Sequence, residues 1–320
     1  MGIKIIGTGR KMPSHVVTNT DLADFLDTSE EWIISKTGIH TRHICTDESL
    51  TDLAVSASLT ALNRAGIEIE DVSMLICATT SGDYKTPSLA CCVLEKLGGF
   101  CTAFDVNAAC TGFIYALDVA DSFIRSGKAN TVLVVAAEMI SRIVNWEDRT
   151  SCVLFGDGAS ACVVTNGNTL KYIRTMSDPQ VEPLFSKTGY GNNPFIKVQH
   201  STCNYVQMQG GQVYKFAVKT IENEIRQALR ILNMKAEDVD FFMLHQANNR
   251  IIEGARNRLQ LPSEKFPTNI NQYGNMSAAS IPVLLDEMIE DNKIKDGDVV
   301  IMIGFGAGMT AGTAAFVWEN

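Results

Sequence analysis

Residues 61–78, ALNRAGIEIEDVSMLICA, and residues 228–245, ALRILNMKAEDVDFFMLH, correspond at a constant offset of 167. Each opens on Ala-Leu at the end of an amphipathic stretch, carries Glu-Asp-Val nine residues later, and closes on an apolar run. The same offset brings Val132 of ANTVLVV onto Val299 of DGDVVIM. FGDGASACVV from Phe155 and FGAGMTAGTAAF from Phe305 also correspond, at an offset of 150, which places a short extra loop in the first half near Met139–Arg149. Three segments repeated in one order describe an αβ unit built twice. Strand-like runs at Ser73–Thr79, Val132–Ala137, Val239–Leu244 and Val299–Ile303 alternate with amphipathic stretches at Ser49–Ala65, Thr111–Ser126, Tyr214–Leu232 and Ser277–Asn292. Such alternation predicts an α/β architecture with buried, largely parallel strands. Two halves, 1–168 and 169–320, would be related by a pseudo-twofold axis and share one cleft beyond the carboxyl ends of their strands.

The bulk composition fits that frame and narrows the function. The 320 residues are 46% hydrophobic and 20% charged, as in an ordinary soluble globular protein. A net charge of −9 argues against broad binding to nucleic acid or an anionic membrane, both of which call for a basic surface. The apolar run in MGIKIIGTGRKMPSH is far shorter than a signal-peptide core, so no export is expected. Val299–Trp318 is uncharged over 20 residues, the length of a membrane span, but its four glycines favour a strand, a glycine turn and a second strand. Cysteines at 45, 77, 91, 92, 101, 110, 152, 162 and 203 are odd in number and form no CxxC pair. That pattern supports neither a disulfide framework nor a zinc site, and a reducing cytoplasm is the expected setting.

Among these cysteines Cys110 stands apart. It lies between the strand-like CTAFDVNAA and the helix-patterned TGFIYALDVADSFI, at a strand-to-helix turn where free N–H groups and the helix dipole favour a thiolate. Ala108, Ala109 and Gly112 suit a tight turn, although an isolated cysteine is more often a small buried core residue. His15, His40, His43 and His200 fall in polar, loop-like stretches, whereas His245 directly ends an apolar strand. It is either a capping or core histidine or a cleft residue. Asn275, after Gly274, has the form of a turn residue, yet the repeat places it close to the counterpart of Cys110.

DVNAACTGF, FGDGA, HQANNRII, YGNMSAAS and GFGAGMTAG, in that order, resemble the β-ketoacyl-acyl-carrier-protein synthase III family of thiolase-fold condensing enzymes. The resemblance spans the chain and includes TSEEWIISKTGIHTRHI near the start. It implies a thiolase-like fold with duplicated halves in five α-β-α-β-α layers. It also implies decarboxylative condensation of an acyl-CoA primer with malonyl-acyl-carrier protein, initiating fatty-acid or related biosynthesis. By resemblance Cys110 carries the acyl group, and His245 and Asn275 donate hydrogen bonds to the thioester oxygen. The backbone N–H groups of Cys110 and Ala307 would hold the second oxyanion. Trp32 and Arg149 match the pair that sandwiches the adenine of coenzyme A, with Thr28, Lys36, Phe155 and Asn248 along the same tunnel. Lys215, Arg250, Arg256 and Arg258 match the landing site for an acidic carrier protein. A homodimer is implied, pairing through the Cys91–Phe104 region, and neither cofactor nor metal is called for.

The chain also departs from the family pattern. Thr86 stands where a bulky aromatic reaches the acyl pocket across the dimer interface, and Ala311 where a tryptophan is common. Lys36 replaces an arginine, and Ala307 the middle glycine of FGGG. Smaller side chains at 86 and 311 lead to the expectation of a larger or reshaped acyl pocket and a longer or branched primer. A degradative thiolase would need a second cysteine near the C-terminus, and the last here is Cys203. A specialised-metabolism condensing enzyme on this scaffold, or a non-catalytic partner subunit, are the alternatives.

Overall fold

The computed structural model describes residues 2–187 and 205–319; His200 and Cys203 lie outside them. In chain order the principal elements of the first half are β1 (Gly2–Lys11), α1 (Glu30–Thr37), α2 (Leu50–Ala65), β2 (Met74–Ala78), α3 (Leu89–Leu97), β3 (Thr102–Val106), α4 (Gly112–Arg125), β4 (Thr131–Met139) and β5 (Asp157–Gly167). They continue with β6 (Leu170–Ser177), α5 (Gly210–Leu232), β7 (Phe241–Leu244), α6 (Asn249–Leu259), α7 (Ser280–Glu290), β8 (Val299–Gly306) and β9 (Thr310–Val317).

Local chemistry accounts for the repeated unit. Ser49 caps α2 by accepting the N–H of Asp52, and Gly66 ends it at φ +68, a left-handed conformation that glycine adopts without a Cβ clash. In the second copy Asn233 ends α5 at φ +53, asparagine being the next most tolerant residue there. The strands that follow, β2 and β7, are buried along almost their whole length.

The first sheet has the order β1-β5-β4-β2-β3 and the second β6-β9-β8-β7. Aligned from β1 and β6, the four shared strands match. Only β4–β2, β2–β3 and β7–β8 pair in parallel; the remaining pairs are antiparallel. The expectation of largely parallel strands therefore gives way to two mixed sheets. The reason lies in the short connections: the three-residue turn Ala307–Met309 joins β8 to β9 as a hairpin, and no crossover fits in so few residues. The uncharged stretch 299–318 is thus a strand, a glycine-containing turn and a strand, and among the described residues no helix is long and apolar enough to cross a membrane.

Pairing register also corrects one offset. Val132 faces Val164 in the first sheet, and Val299 faces Val317 in the second. The offset of 167 on the inner strand becomes 153, not 150, on the outer one. Phe155 and Phe305 are therefore not counterparts; the likeness of FGDG to FGAG is local, and the extra chain of the first half runs between Met139 and Asp157.

Helices α4 and α7 lie between the two sheets, α4 against β4, β2 and β6, and α7 against β1, β5 and β7. Outside, α2 and α3 cover the first sheet while α5 packs on the second and α6 on α5. The five α-β-α-β-α layers of the expected fold result. The central helices are apolar on both sides, with Phe113, Ile114, Leu117, Ile281, Val283 and Leu285 buried, because each must satisfy two sheets at once.

Candidate active site

The two central helices begin at matching turns. A short 3₁₀ turn, Ala109–Thr111, leads into α4, and another, Ser277–Ala279, leads into α7. Ala109 and Ser277 hold nearly the same left-handed backbone, φ +48 and φ +47. Such values cost non-glycine residues energy and persist only where surrounding structure fixes them. Cys110 sits on the first turn, buried. Opposite it, the end of β8 approaches so closely that a Cβ on Gly306 would lie 3.0 Å from the Cys110 Cβ and backbone N. The Thr111 hydroxyl donates to Ala108 O at 2.5 Å and lies 2.9 Å from Thr310 Oγ1, tying this turn to the start of β9.

His245 follows β7 and is buried, its ring edge-on to Phe305 at 5.2 Å between centroids. Burial drives its pKa down to about 3, so the imidazole is neutral and keeps one N–H to donate; its buried Nδ1 has no hydrogen-bond partner among the described residues. Asn275 is anchored at its backbone by Leu154 O and Gly156 N, at 2.8 and 3.1 Å. Its Oδ1 accepts the Ser277 N–H at 2.8 Å, which commits the amide nitrogen to the role of donor.

Cys110, His245 and Asn275 line one cavity of about 1840 Å³. Ala307, Phe155, Asn248, Trp32, Lys36, Lys215 and Arg250 line it as well, with Lys85, Arg142 and Lys187 adding positive charge. Asp83 and Asp105 line it too, and Arg142 pairs with Asp83 at 3.1 Å, so six cations against two carboxylates leave the lining net positive in a chain of net charge −9. Arg149 stacks its guanidinium on the Trp32 ring at 5.2 Å and bonds Asp27 O, so the two faces stand against each other. Asn248 caps α6 through Arg250 N and donates to Lys36 O, tying α6 to α1. Thr28 keeps a buried hydroxyl with no partner among the described residues.

Other sequence candidates fall elsewhere. Thr28, Arg149, Thr86, Ala311, Arg256 and Arg258 are not among the lining residues. Thr86 is exposed, and Ala311 is buried in β9 beside Phe305 and Met176. Arg256 pairs with Glu253 at 2.6 Å and Arg258 with Glu222 at 3.5 Å. The thiolate expected at the helix N-terminus also needs correction: burial, with Glu138 adding to it, pushes the Cys110 thiol up to about 12.

Sequence reasoning passed over Glu138 and Ser277. Glu138, at the end of β4, is fully buried and accepts from Thr80 N at 3.0 Å, Thr80 Oγ1, Ser81 Oγ at 2.5 Å and Ser277 Oγ at 3.0 Å. The available signal was a carboxylate inside VLVVAAEM, a run otherwise apolar. Among the described residues no group of three or more His, Cys, Asp or Glu side chains is arranged to hold a metal.

A buried cysteine, a neutral histidine and an oriented amide, meeting in one cavity between two sheets of matching order, are the arrangement of a thiolase-fold condensing enzyme. Residues 104–178 match the 3-oxoacyl-(acyl-carrier-protein) synthase III family, and residues 229–318 match its C-terminal part. The chain is 48% identical over 316 residues to a β-ketoacyl-(acyl-carrier-protein) synthase III of Clostridium perfringens, covering 97% of this chain and 98% of that one. The crystal structure of 3-oxoacyl-(acyl-carrier-protein) synthase III from Aquifex aeolicus superposes with a TM-score of 0.92 at 42% identity, covering 99% and 100% of the two chains. The priming β-ketosynthase of the R1128 polyketide pathway reaches the same TM-score at 30% identity, over 100% and 97%. The chain belongs to the β-ketoacyl-acyl-carrier-protein synthase III family and is a condensing acyltransferase.

Proposed function

We propose that Cys110 takes the acyl group of an acyl-CoA primer as a thioester and passes it to malonyl-acyl-carrier protein. Its sulfur attacks the thioester carbonyl, coenzyme A leaves, and the acyl-cysteine remains. The malonyl thioester then loses CO2, and its oxygen takes up negative charge facing the His245 N–H and the Asn275 amide. Each such donor is typically worth ~3 kcal/mol. The resulting carbanion attacks the acyl-cysteine carbonyl, whose oxygen is received by the N–H groups of Cys110 and Ala307. The tetrahedral adduct collapses, expelling the Cys110 thiolate and releasing the β-ketoacyl product on the carrier. These steps call on neither cofactor nor metal.

The observation that carries this reading is the convergence of Cys110, His245 and Asn275, from the starts of α4 and α7 and the end of β7, on one cavity with a basic mouth. Trp32 and Arg149 offer an aromatic face and a planar cation to the adenine, provided they part to admit it. Thr28, Lys36, Phe155 and Asn248 belong to the same coenzyme A path. Lys215 and Arg250 on the rim suit an acidic carrier protein better than Arg256 and Arg258, whose charges are already partnered. The edge strand β3 has one neighbour in its sheet, and Phe100 beside it is fully exposed, which supports a homodimer formed there. Thr86 and Ala311 are assigned to the acyl pocket, the boundary between the halves to residue 168, and the enzyme to the cytoplasm. Incubation with a panel of acyl-CoAs followed by intact-mass measurement tests the reading. A covalent adduct is expected on the native chain and absent from Cys110→Ala, and malonyl-carrier protein discharges it. Failure of any acyl-CoA to label Cys110 would overturn the reading.

A further inference from the structure

One buried charge that the reaction does not use sits behind Asn275 rather than in the cavity. Arg42 belongs to the short strand Thr41–His43 and is the largest of the fully buried side chains. Its guanidinium donates to backbone carbonyls, Val153 O at 3.0 Å and Val17 O at 3.4 Å, and its Nε has no partner among the described residues. Asp21 attracts it from beyond ion-pair distance, its own carboxylate being held by the Thr18 N–H and hydroxyl. A buried cation without a paired carboxylate costs stability, and an apolar side chain would fill the same space at less cost. Packing alone therefore leaves this arginine unexplained.

Its neighbours are the two stretches of backbone that hold Asn275. Phe155 and Asn275 form an isolated parallel bridge, with the Asn275 N–H on Leu154 O at 2.8 Å and the Gly156 N–H on Asn275 O at 3.1 Å. The stem of Arg42 lies against both sides of it: a Cβ on Gly156 would stand 3.2 Å from the Arg42 Cβ, and one on Gly274 would stand 3.4 Å away. The first would also fall 2.3 Å from Tyr273 O, so only glycine lets the chains come this close. The carbonyl that receives the guanidinium belongs to Val153, directly before Leu154. Residues 40–43 also grip the chain upstream of Asn275. The His40 N–H meets Asn271 O at 2.9 Å, the Thr41 hydroxyl meets Gln272 O at 2.8 Å, and the His43 ring lies 5.5 Å from that of Tyr273. The turn that carries Cys110 has its own anchors in Thr310 and Gly306.

We propose that Arg42 is a positioning residue for Asn275: its guanidinium fixes residues 153–156, and through the bridge that segment sets where the Asn275 amide meets the malonyl thioester oxygen. The planar fork of donors, rather than the charge, does the holding, so lysine is no substitute. The inference rests on Asn275 being a donor in the decarboxylation step. It separates the two halves of the reaction. Acylation calls on the cysteine turn and the N–H groups of Cys110 and Ala307, whereas loss of CO2 calls on Asn275. Misplacing such a group by an ångström costs roughly 100-fold.

In Arg42→Met, CO2 release from malonyl-acyl-carrier protein by the acylated enzyme should fall about 10-fold or more, with single-turnover acylation of Cys110 within about twofold of native. Arg42→Lys keeps the charge but not the fork; it should also slow CO2 release without slowing acylation, and it decides the matter if Arg42→Met does not fold. Asn275→Ala sets the reference. If Arg42 acts through that amide, the double variant releases CO2 no more slowly than Asn275→Ala alone, whereas a general loosening of the fold gives losses that multiply. Multiplying losses, equal falls in acylation and CO2 release, or native CO2 release in Arg42→Met while Asn275→Ala is slow would overturn the positioning role. A readout without substrate separates this inference from the reading beneath it. Hydrogen exchange in Arg42→Met should quicken in peptides covering 153–156 and 271–276 and stay native across 109–113. Native exchange in the first two overturns the positioning. Quickened exchange there, together with native CO2 release by Asn275→Ala, leaves the positioning standing and removes the role assigned to the amide instead.

Discussion

At the scale of single residues the site is a set of protonation states imposed by burial. His245 takes a proton far more readily unfolded, near pH 6.5, than folded, near 3. Since the unfolded chain binds the extra proton, folding stability is complete above pH 6.5 and falls as pH drops towards 3, by up to ~1.4 kcal/mol per pH unit from this group alone. Chemical denaturation at pH 5 and pH 7 should show a difference that shrinks by about 2 kcal/mol in His245→Asn; an identical difference in the variant would refute the assignment. What was legible here follows from contrast. Cys110, His245 and Asn275 each interrupt an apolar or small-residue run at the end of an element, where a polar residue is conspicuous. Ser277 was not legible because serine among MSAAS reads as one more small residue. The direction of the Cys110 shift was hidden too, since a helix N-terminus can be read in sequence while the depth of burial depends on β8, nearly two hundred residues away.

At the scale of elements, backbone closeness explains what the glycines do. A Cβ on Gly9 in β1 would lie 2.4 Å from Ala57 O of α2, and one on Gly306 in β8 would press on Cys110 at 3.0 Å. Both are overpacking errors of about 1–3 kcal/mol, but they touch different neighbours. Gly9→Ala should lower the melting temperature while leaving the acylation rate of folded protein within about twofold, a figure within the small costs of distant packing changes. Gly306→Ala should lower acylation by an order of magnitude or more, because it moves the nucleophile. Melting curves read beside single-turnover acylation separate the two, and equal effects on both would contradict the packing described. Most elements were legible because their hydrophobic periods are strong: α2, α4, β2, β4, β7 and β8 lie within a few residues of their sequence limits. Strand direction was not, since β1, β5, β6 and β9 are antiparallel members whose partners are set by connection length. The Phe155–Phe305 match misled because four similar residues on either side of an insertion outweigh register to the eye.

At the scale of the whole molecule, specificity for the primer becomes a question about two chains. Thr86 is exposed and does not line its own chain's cavity, so it can act on the acyl group only by entering the cavity of a second copy. The α3–β3 region presents the means: a strand edge unpaired among the described residues and the bare ring of Phe100. A dimer at micromolar concentration is expected by sedimentation, shifting towards monomer in Phe100→Asp. Thr86→Phe should fill the end of the partner's pocket and move the ratio of acetyl-CoA to longer acyl-CoA labelling on the order of 10-fold towards acetyl, the scale on which an apolar pocket discriminates by size. That shift must vanish when Phe100→Asp is added and the chains separate. If Thr86→Phe changes primer choice equally in monomer and dimer, residue 86 acts within its own chain; if it changes nothing in the dimer, the pocket is shaped by other residues.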